Sequence, residues 1–292
     1  MTQANWKRRQ ARTDTLGADH PHVAELLTFY REILNLQEPL YRSAGRLRWP
    51  EGVRTQGKDG PRLRLAKFTG KGLDRAFTTF IKRVGRVATD LLLTTAERLQ
   101  AAATSTRADV LQTFLVRGSL DDAAATLDCK TPPLEFFPRA FMQPLTEALT
   151  GERPEFCSPS SPGGTDAVRG SPRTTCPRCG WPPFLAVLRG EPDTEGWKLL
   201  ICSLCSHEWT FPRFRCSSCG ETRAEQLEYH VSEFWPHVRI EECRACQIYI
   251  KAVDLREDRR AVPVVDELAS VELDLWAGEQ GLTKLQRNLL GL

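Results

Sequence analysis

The sequence Cys176-Pro-Arg-Cys179 begins a series of four cysteine pairs, each with two residues between its cysteines. The second pair is Cys202-Ser-Leu-Cys205, and Cys216-Ser-Ser-Cys219 and Cys243-Arg-Ala-Cys246 follow. The third pair starts 40 positions after the first, and the fourth starts 41 positions after the second. This spacing predicts a duplicated module, with two cysteine pairs in each copy.

Two residues between cysteines allow a tight turn, here called a knuckle, that points both sulfur atoms at one centre. Two knuckles supply four thiolates in a tetrahedron, which suits zinc or a single iron ion. Following the repeat, we assign the first site to Cys176, Cys179, Cys202 and Cys205. We assign the second site to Cys216, Cys219, Cys243 and Cys246. An interleaved assignment is the alternative, but it would split the repeat.

The same residues argue against an enzyme. Four sulfur ligands fill a tetrahedral metal site, so no position remains for a reactive water molecule. His207, next to the second knuckle, is an alternative ligand, but with four cysteines present we interpret it as a neighbour of the site. The sequence contains neither a Gly-x4-Gly-Lys-Ser/Thr phosphate loop nor a Gly-x-Ser-x-Gly motif. We therefore predict metal ions that stabilise small folds, with no catalytic residues and no organic cofactor.

Outside the knuckles, the chain divides by composition and by apolar spacing. Residues 1–150 predict a helical domain, and residues 151–175, rich in proline, serine and glycine, predict a linker. The knuckles place a first metal module at residues 176–212 and a second at residues 213–262. Residues 263–292 predict an acidic C-terminal helix and a tail, with the helix docked on the helical domain.

Apolar spacing also predicts individual elements. We expect Asp19 to cap a helix and residues 73–103 to form one long helix. Shorter helices are expected at residues 110–116, 120–127 and 136–149, the last interrupted near Pro138 and Pro144. Strands are expected at residues 184–188, 197–201, 226–231 and 237–240. Four tryptophans are expected to pack around the metal turns: Trp181, Trp197, Trp209 and Trp235.

Composition narrows the classes of protein further. With 41% hydrophobic and 26% charged residues, the chain is typical of a globular protein. No apolar run approaches the roughly 18 residues that span a bilayer. The basic cluster from Lys7 to Arg12 is not followed by the apolar segment of an export signal. We therefore expect a cytoplasmic protein without a membrane partner, in which the ten cysteines stay reduced.

Charge is distributed unevenly along the chain. Residues 42–86 carry thirteen basic side chains against three acidic ones. We interpret this segment as a solvated surface, and the alternative is a docking face for an acidic protein or nucleic acid. Residues 151–292 carry 17 basic and 21 acidic side chains, which opposes contact with phosphates. A zinc-ribbon protein that binds nucleic acid is therefore disfavoured.

The knuckles and the closing helix resemble those of the FdhE family of formate dehydrogenase accessory proteins. The resemblance covers residues 176–275, roughly a third of the chain, and the order of its motifs is specific. The stretches that carry it are Cys176-Pro-Arg-Cys-Gly-Trp-Pro-Pro183, Cys202-Ser-Leu-Cys-Ser-His-Glu-Trp209, Arg213-Phe-Arg-Cys-Ser-Ser-Cys-Gly220, Cys243-Arg-Ala-Cys-Gln-Ile-Tyr-Ile-Lys251 and Asp266-Glu-Leu-Ala-Ser-Val-Glu-Leu-Asp-Leu275.

The resemblance implies a fold and a function. The implied fold class is an N-terminal helical domain, two tandem rubredoxin-like or zinc-ribbon-like modules with small metal-bound β-sheets, and a C-terminal helix. The implied function is cytoplasmic maturation of formate dehydrogenase, with the catalytic subunit as the partner before export. The family's metal is iron, and the spacing of the cysteines also fits zinc. The alternative function is rubredoxin-like electron transfer to a partner enzyme.

Overall fold

The computed structural model describes residues 3–57, 60–68, 73–151, 173–190 and 197–292. A helical half comes first and a β-rich half follows. The α-helices of the first half are α1 Gln3–Asp19, α2 Ala24–Ser43, α3 Asp74–Val84, α4 Asp90–Ala101, α5 Thr104–Leu115, α6 Asp121–Thr126 and α7 Thr131–Thr150. A hairpin of β1 Arg54–Gly57 and β2 Gly60–Leu63 lies between α2 and α3.

Helix α7 lies at the centre of the helical half. It packs against α2, α4, α5 and α6, and most of its side chains are buried. The Phe141 ring lies 5.0 Å from the Phe77 ring and 5.7 Å from the Phe80 ring, measured between ring centroids. Complete burial of such a side chain stabilises the fold by roughly 1.5–3 kcal/mol, so these contacts fix α3 on α7.

The prediction that Pro138 and Pro144 interrupt this last helix was wrong, because α7 continues through both prolines. A proline cannot donate a hydrogen bond to the carbonyl four residues earlier, and Pro144 therefore leaves the Ala140 carbonyl without its helical donor. The buried side chain of Gln37 on α2 donates to that carbonyl from Nε2 at 2.8 Å. A side chain of a neighbouring helix thus replaces the lost backbone hydrogen bond.

Residues 73–103 form two helices, not the predicted single helix. The chain turns between α3 and α4, and the two helices pack against each other. A Cβ atom at Gly85 would lie 3.3 Å from Cβ of Ala96, so the missing side chain allows the close approach of the two helices. The predicted cap at Asp19 was also wrong, since Asp19 ends α1 and α2 begins at Ala24.

The β-rich half is built on one sheet. Its strands are β3 Pro183–Arg189, β4 Trp197–Cys202, β5 Glu208–Phe211, β6 Leu227–Val231, β7 Val238–Cys243, β8 Ile248–Asp254 and β9 Thr283–Lys284. The strands lie in the order β5-β4-β3-β8-β7-β6, and β9 pairs with the start of β8. Strands form at all four predicted positions, although β7 extends three residues beyond its predicted end.

The two predicted modules are joined in this sheet. Strand β3 of the first module runs parallel to β8 of the second, with Leu185 beside Lys251. Cys202 pairs with Pro183 at the start of β3, and Cys243 pairs with Ile248 at the start of β8. Because β3 and β8 are parallel, the knuckles that follow β4 and β7 lie at the same end of the sheet.

The closing segment forms two helices where one was predicted, α8 Pro263–Ala269 and α9 Val271–Glu279. Lys251 of β8 is completely buried, and its Nζ lies 3.2 Å from Glu267 Oε1 and 2.7 Å from Asp274 Oδ2. Burial alone would raise the pKa of Glu267, but Lys251 and Lys284 outweigh it and hold that pKa at about 2. These ion pairs fix both helices on the sheet.

A second buried ion pair joins the two halves of the chain. Arg12 of α1 donates to the carboxylate of Asp266 on α8, with Nε 3.1 Å from Oδ2, and Asp266 is completely buried. His237 lies 2.8 Å from the same carboxylate. The prediction that the closing helix docks on the helical half is therefore correct for α8. No helix within the described ranges is long and apolar enough to span a membrane.

We predict that Arg12→Ala lowers the free energy of unfolding by about 3 kcal/mol, because the carboxylate of Asp266 stays buried without its arginine. Thermal unfolding of the variant measures this loss. Arg8→Ala is the matched control, since Arg8 is exposed on the same helix and should change stability by less than about 0.5 kcal/mol. Equal melting temperatures for the two variants would contradict the proposed role of Arg12.

Candidate metal centres

The four knuckles share one backbone conformation. In each, the residue after the second cysteine donates its N–H to the carbonyl of the first cysteine, for example Gly180 to Cys176 at 2.9 Å. That residue has a positive φ in every knuckle, at +79° for Gly180, +53° for Ser206, +81° for Gly220 and +56° for Gln247. The two non-glycine residues therefore adopt the conformation that glycine adopts without strain.

The knuckles bring together the sulfur atoms that the sequence assigned to the first site. The Sγ atoms of Cys176 and Cys205 are 3.6 Å apart, and those of Cys179 and Cys202 are 3.3 Å apart. All four Sγ atoms lie within 4.8 Å of one another, and all four residues are buried. We call these four residues cluster 1.

The other assigned set forms a second cluster. The Sγ atoms of Cys216 and Cys246 are 3.8 Å apart, and those of Cys219 and Cys243 are 3.7 Å apart. Cys219 is exposed and Cys246 is half-buried, whereas Cys216 and Cys243 are buried. We call these four residues cluster 2. The interleaved alternative does not occur, because each cluster draws its sulfurs from one copy of the repeat.

These sulfur positions fit a tetrahedral metal ion. A metal–sulfur distance of about 2.3 Å places the sulfurs of a regular tetrahedron about 3.8 Å apart. The four distances above, from 3.3 to 3.8 Å, are close to that value and far longer than a disulfide bond of about 2.05 Å. Cys129 has no part in either cluster, and Cys157 lies outside the described residues.

Backbone amides point at several of the sulfur atoms. Arg178 N lies 3.4 Å from Cys176 Sγ, Leu204 N lies 3.4 Å from Cys202 Sγ, and Ser218 N lies 3.3 Å from Cys216 Sγ. Such N–H groups favour the thiolate form of the sulfur that accepts them. Hydrogen bonds of this kind also fix the orientation of the sulfur ligands around a metal ion.

Burial and neighbouring sulfurs change the acidity of the thiols in cluster 1. Burial raises the pKa of the Cys179 and Cys205 thiols well above their ordinary value. Burial would also raise the pKa of Cys176, but hydrogen bonds from the other three cysteines outweigh it and lower that pKa. A divalent cation that binds all four sulfurs must displace the protons of the thiols.

The neighbours of the clusters differ partly from the predictions. Trp181 and Trp209 are buried close to the knuckles, as predicted. Trp197 is 51% exposed, and Trp235 stacks on His20 and donates to Glu272, so neither packs as predicted. The reason is that Trp197 lies at the exposed start of β4, whereas Trp235 lies in the junction between the helical half and the β-rich half.

The structure also contains a group that the sequence analysis did not identify. Ligand atoms of Glu228, His230 and Glu242, on β6 and β7, lie within 4.8 Å of one another. His230 lies 2.8 Å from Glu242, and Glu228 pairs with Arg244 at 2.6 Å. These polar contacts account for the group without a metal ion. A Glu-x-His pattern on a strand opposite a glutamate is the signal that could have identified it.

The chain is similar to known proteins over the region that holds both clusters. The family model described as the FdhE central domain matches residues 175–213, and that of the FdhE C-terminal domain matches residues 214–290. A curated FdhE homolog of Aquifex aeolicus is 30% identical over 239 residues, which are 80% of this chain and 76% of that protein. The chain belongs to the FdhE family.

Other comparisons extend the similarity to almost the whole of this FdhE-family chain. A curated FdhE homolog of Pectobacterium carotovorum is 27% identical over 285 residues, covering 96% of this chain and 85% of that protein. The crystal structure of the FdhE protein from Pseudomonas aeruginosa matches with a TM-score of 0.67 at 25% identity, covering 99% of this chain and 96% of that one. The resemblance seen in the knuckles, and the fold class that it implied, are confirmed.

We predict opposite effects of substitution at equivalent positions of two knuckles. Gln247→Gly should raise the free energy of unfolding by about 0.5 kcal/mol, because glycine removes the strain of a positive φ. Gly180→Ala should lower it by about 1 kcal/mol, since nothing lies within 4 Å of the added Cβ and the cost is that of the backbone alone. Denaturant unfolding measures both changes, and changes of the same sign would contradict this account of the knuckles.

Proposed function

We propose that this FdhE-family chain is a cytoplasmic accessory protein of formate dehydrogenase, which binds the catalytic subunit before its export. The observation that carries the proposal is its similarity to an FdhE homolog over 80% of the chain, together with two four-cysteine clusters in the shared fold. The chemistry of the clusters supports an assembly role over catalysis, because their sulfur ligands would leave no position for water.

Each cluster, in this proposal, holds one metal ion. Iron is favoured by the family resemblance, and zinc fits the same four-sulfur geometry. When bound, the ion ties together two knuckles that lie 23 to 30 residues apart in the chain. Such cross-links contribute roughly 10 kcal/mol or more to the folding of small modules. The cysteines of this chain thereby give the β-rich half a rigid shape for contact with another protein.

The same proposal assigns a role to each part of the chain. Residues 1–150 act as the helical domain, residues 151–175 as a linker, and residues 176–212 and 213–262 as metal modules. Residues 263–292 close the fold. The ion pair between Arg12 and Asp266 supports a scaffold in which the helical domain and the modules present one surface.

Deletion of the gene for this protein should abolish formate dehydrogenase activity, because the catalytic subunit would lack its assembly partner. Activity measured in extracts of a clean deletion strain checks this expectation. Restoration by the intact chain, but not by a chain with Cys176→Ser and Cys179→Ser, would link the role to cluster 1. Full activity in the deletion strain would refute the proposed function.

Elemental analysis should find two metal ions per chain in the purified protein, since each cluster supplies a complete ligand set. The double substitution Cys216→Ser and Cys219→Ser should leave one ion, and Cys129→Ser, outside both clusters, is the control that keeps two. A red colour bleached by dithionite would identify iron and favour the electron-transfer alternative. A colourless zinc protein would exclude redox chemistry at these sites.

A further inference from the structure

The two copies of the repeat differ in their access to solvent. We propose that cluster 2 is a metal centre open to ligand exchange with a thiol-bearing partner, whereas cluster 1 is sealed by the helical half and serves only the fold. This inference rests on the proposed binding of metal at both clusters. It goes further because it assigns unequal roles to two sites that the sequence presents as duplicates.

Equivalent knuckles of the two copies give a direct comparison. Residues 202–206, the second knuckle of cluster 1, are buried throughout, with Leu204 fully inaccessible to solvent. In the equivalent knuckle of cluster 2, Arg244, Ala245 and Gln247 are exposed. In the first knuckles, the second cysteine differs in the same direction, since Cys179 is 9% exposed whereas Cys219 is exposed.

The hairpin of β1 and β2 covers the first knuckle of cluster 1. Leu63 donates its backbone N–H to the carbonyl of Arg178 at 2.7 Å, and Arg178 Nη1 donates to the carbonyl of Pro61 at 3.1 Å. Arg178 lies between the two cysteines of that knuckle. The helical half therefore holds the metal-binding turn by both its backbone and its side chain.

Two helices cover the rest of cluster 1. The ring of Phe114 on α5 lies 4.9 Å from the ring of Trp181, just after the first knuckle. The buried hydroxyl of Thr146 on α7 donates to the carbonyl of Leu204, in the second knuckle, at 2.9 Å. These contacts leave Cys179, at 9% exposed, as the most accessible cysteine of cluster 1.

Cluster 2 is held differently. Among the described residues, the hydrogen bonds that its second knuckle makes with other segments run within the C-terminal part of the chain. Arg244 N donates to Gln226 O, and Thr283 N donates to Gln247 O, both at 2.9 Å. Phe214, two residues before Cys216, is 78% exposed. No opening of the two halves is therefore needed for a partner to approach Cys219.

Exchange at such a centre is chemically balanced. An incoming thiol binds the metal through its sulfur and loses its proton, and the Cys219 thiolate leaves the metal and takes that proton up. The number of thiolate ligands and the charge of the centre stay the same. Soft thiolate donors suit both zinc and iron in four-sulfur sites, so a cysteine of a partner protein has the required chemistry.

The test uses the whole protein loaded with two equivalents of Zn²⁺ and treated with N-ethylmaleimide, with each cysteine followed by peptide mass spectrometry. Cysteines of cluster 2 should be modified at least about tenfold faster than those of cluster 1, because cluster 1 reacts only after local opening. Equal rates, or faster reaction at cluster 1, would overturn the proposal. Failure to retain two Zn²⁺ ions would instead refute the metal sites themselves.

Variants test the seal directly. Thr146→Val removes the hydrogen bond to Leu204 with little change in volume, and Phe114→Ala removes the ring against Trp181. Either should raise the rate at cluster 1 several-fold and leave cluster 2 unchanged. Phe214→Ala, the control beside cluster 2, should leave the rate at cluster 1 unchanged. If a folded Thr146→Val protein protects cluster 1 as the wild type does and Phe114→Ala also has no effect, the helical half is not the seal.

Discussion

The convergence of four sulfur atoms on one centre is the constraint on which the β-rich half depends. Each knuckle needs a residue at positive φ and a hydrogen bond back to its first cysteine, and all four knuckles meet both conditions. Strands of four to seven residues form most of the sheet, and short strands bury little apolar surface by themselves. The geometry of the sulfurs therefore fixes the end of the sheet at which β4 and β7 finish, at Cys202 and Cys243.

Duplication alone does not explain the final architecture. The parallel pairing of β3 with β8 joins the copies edge to edge, so each copy covers a strand that the other would leave unpaired. Among the described residues, the helical half then packs on both knuckles of one copy, whereas Cys219 in a knuckle of the other copy is exposed. The two modules thus have the same four cysteine ligands and differ in the residues that surround their clusters.

The cysteine spacing was enough to predict both clusters and their membership, because a knuckle is a local structure, and apolar spacing predicted four of the strands beside them. The features that were missed depend on distant partners. Helix α1 was not predicted because its buried face contains Arg9 and Arg12, whose acidic partners Glu147 and Asp266 lie far along the chain. The continuity of α7 at Pro144 likewise depends on Gln37, which belongs to another helix.

The ion pair between Arg12 and Asp266 has a consequence for synthesis on the ribosome, since 254 positions separate the two residues. At roughly 5–20 residues per second, translation of that interval takes on the order of 10 to 50 s. During this time the guanidinium of Arg12 on α1 lacks the carboxylate of Asp266 as its partner. The other helices of the helical half can pack early, but α1 can form its ion pair with Asp266 only after α8 has left the ribosome.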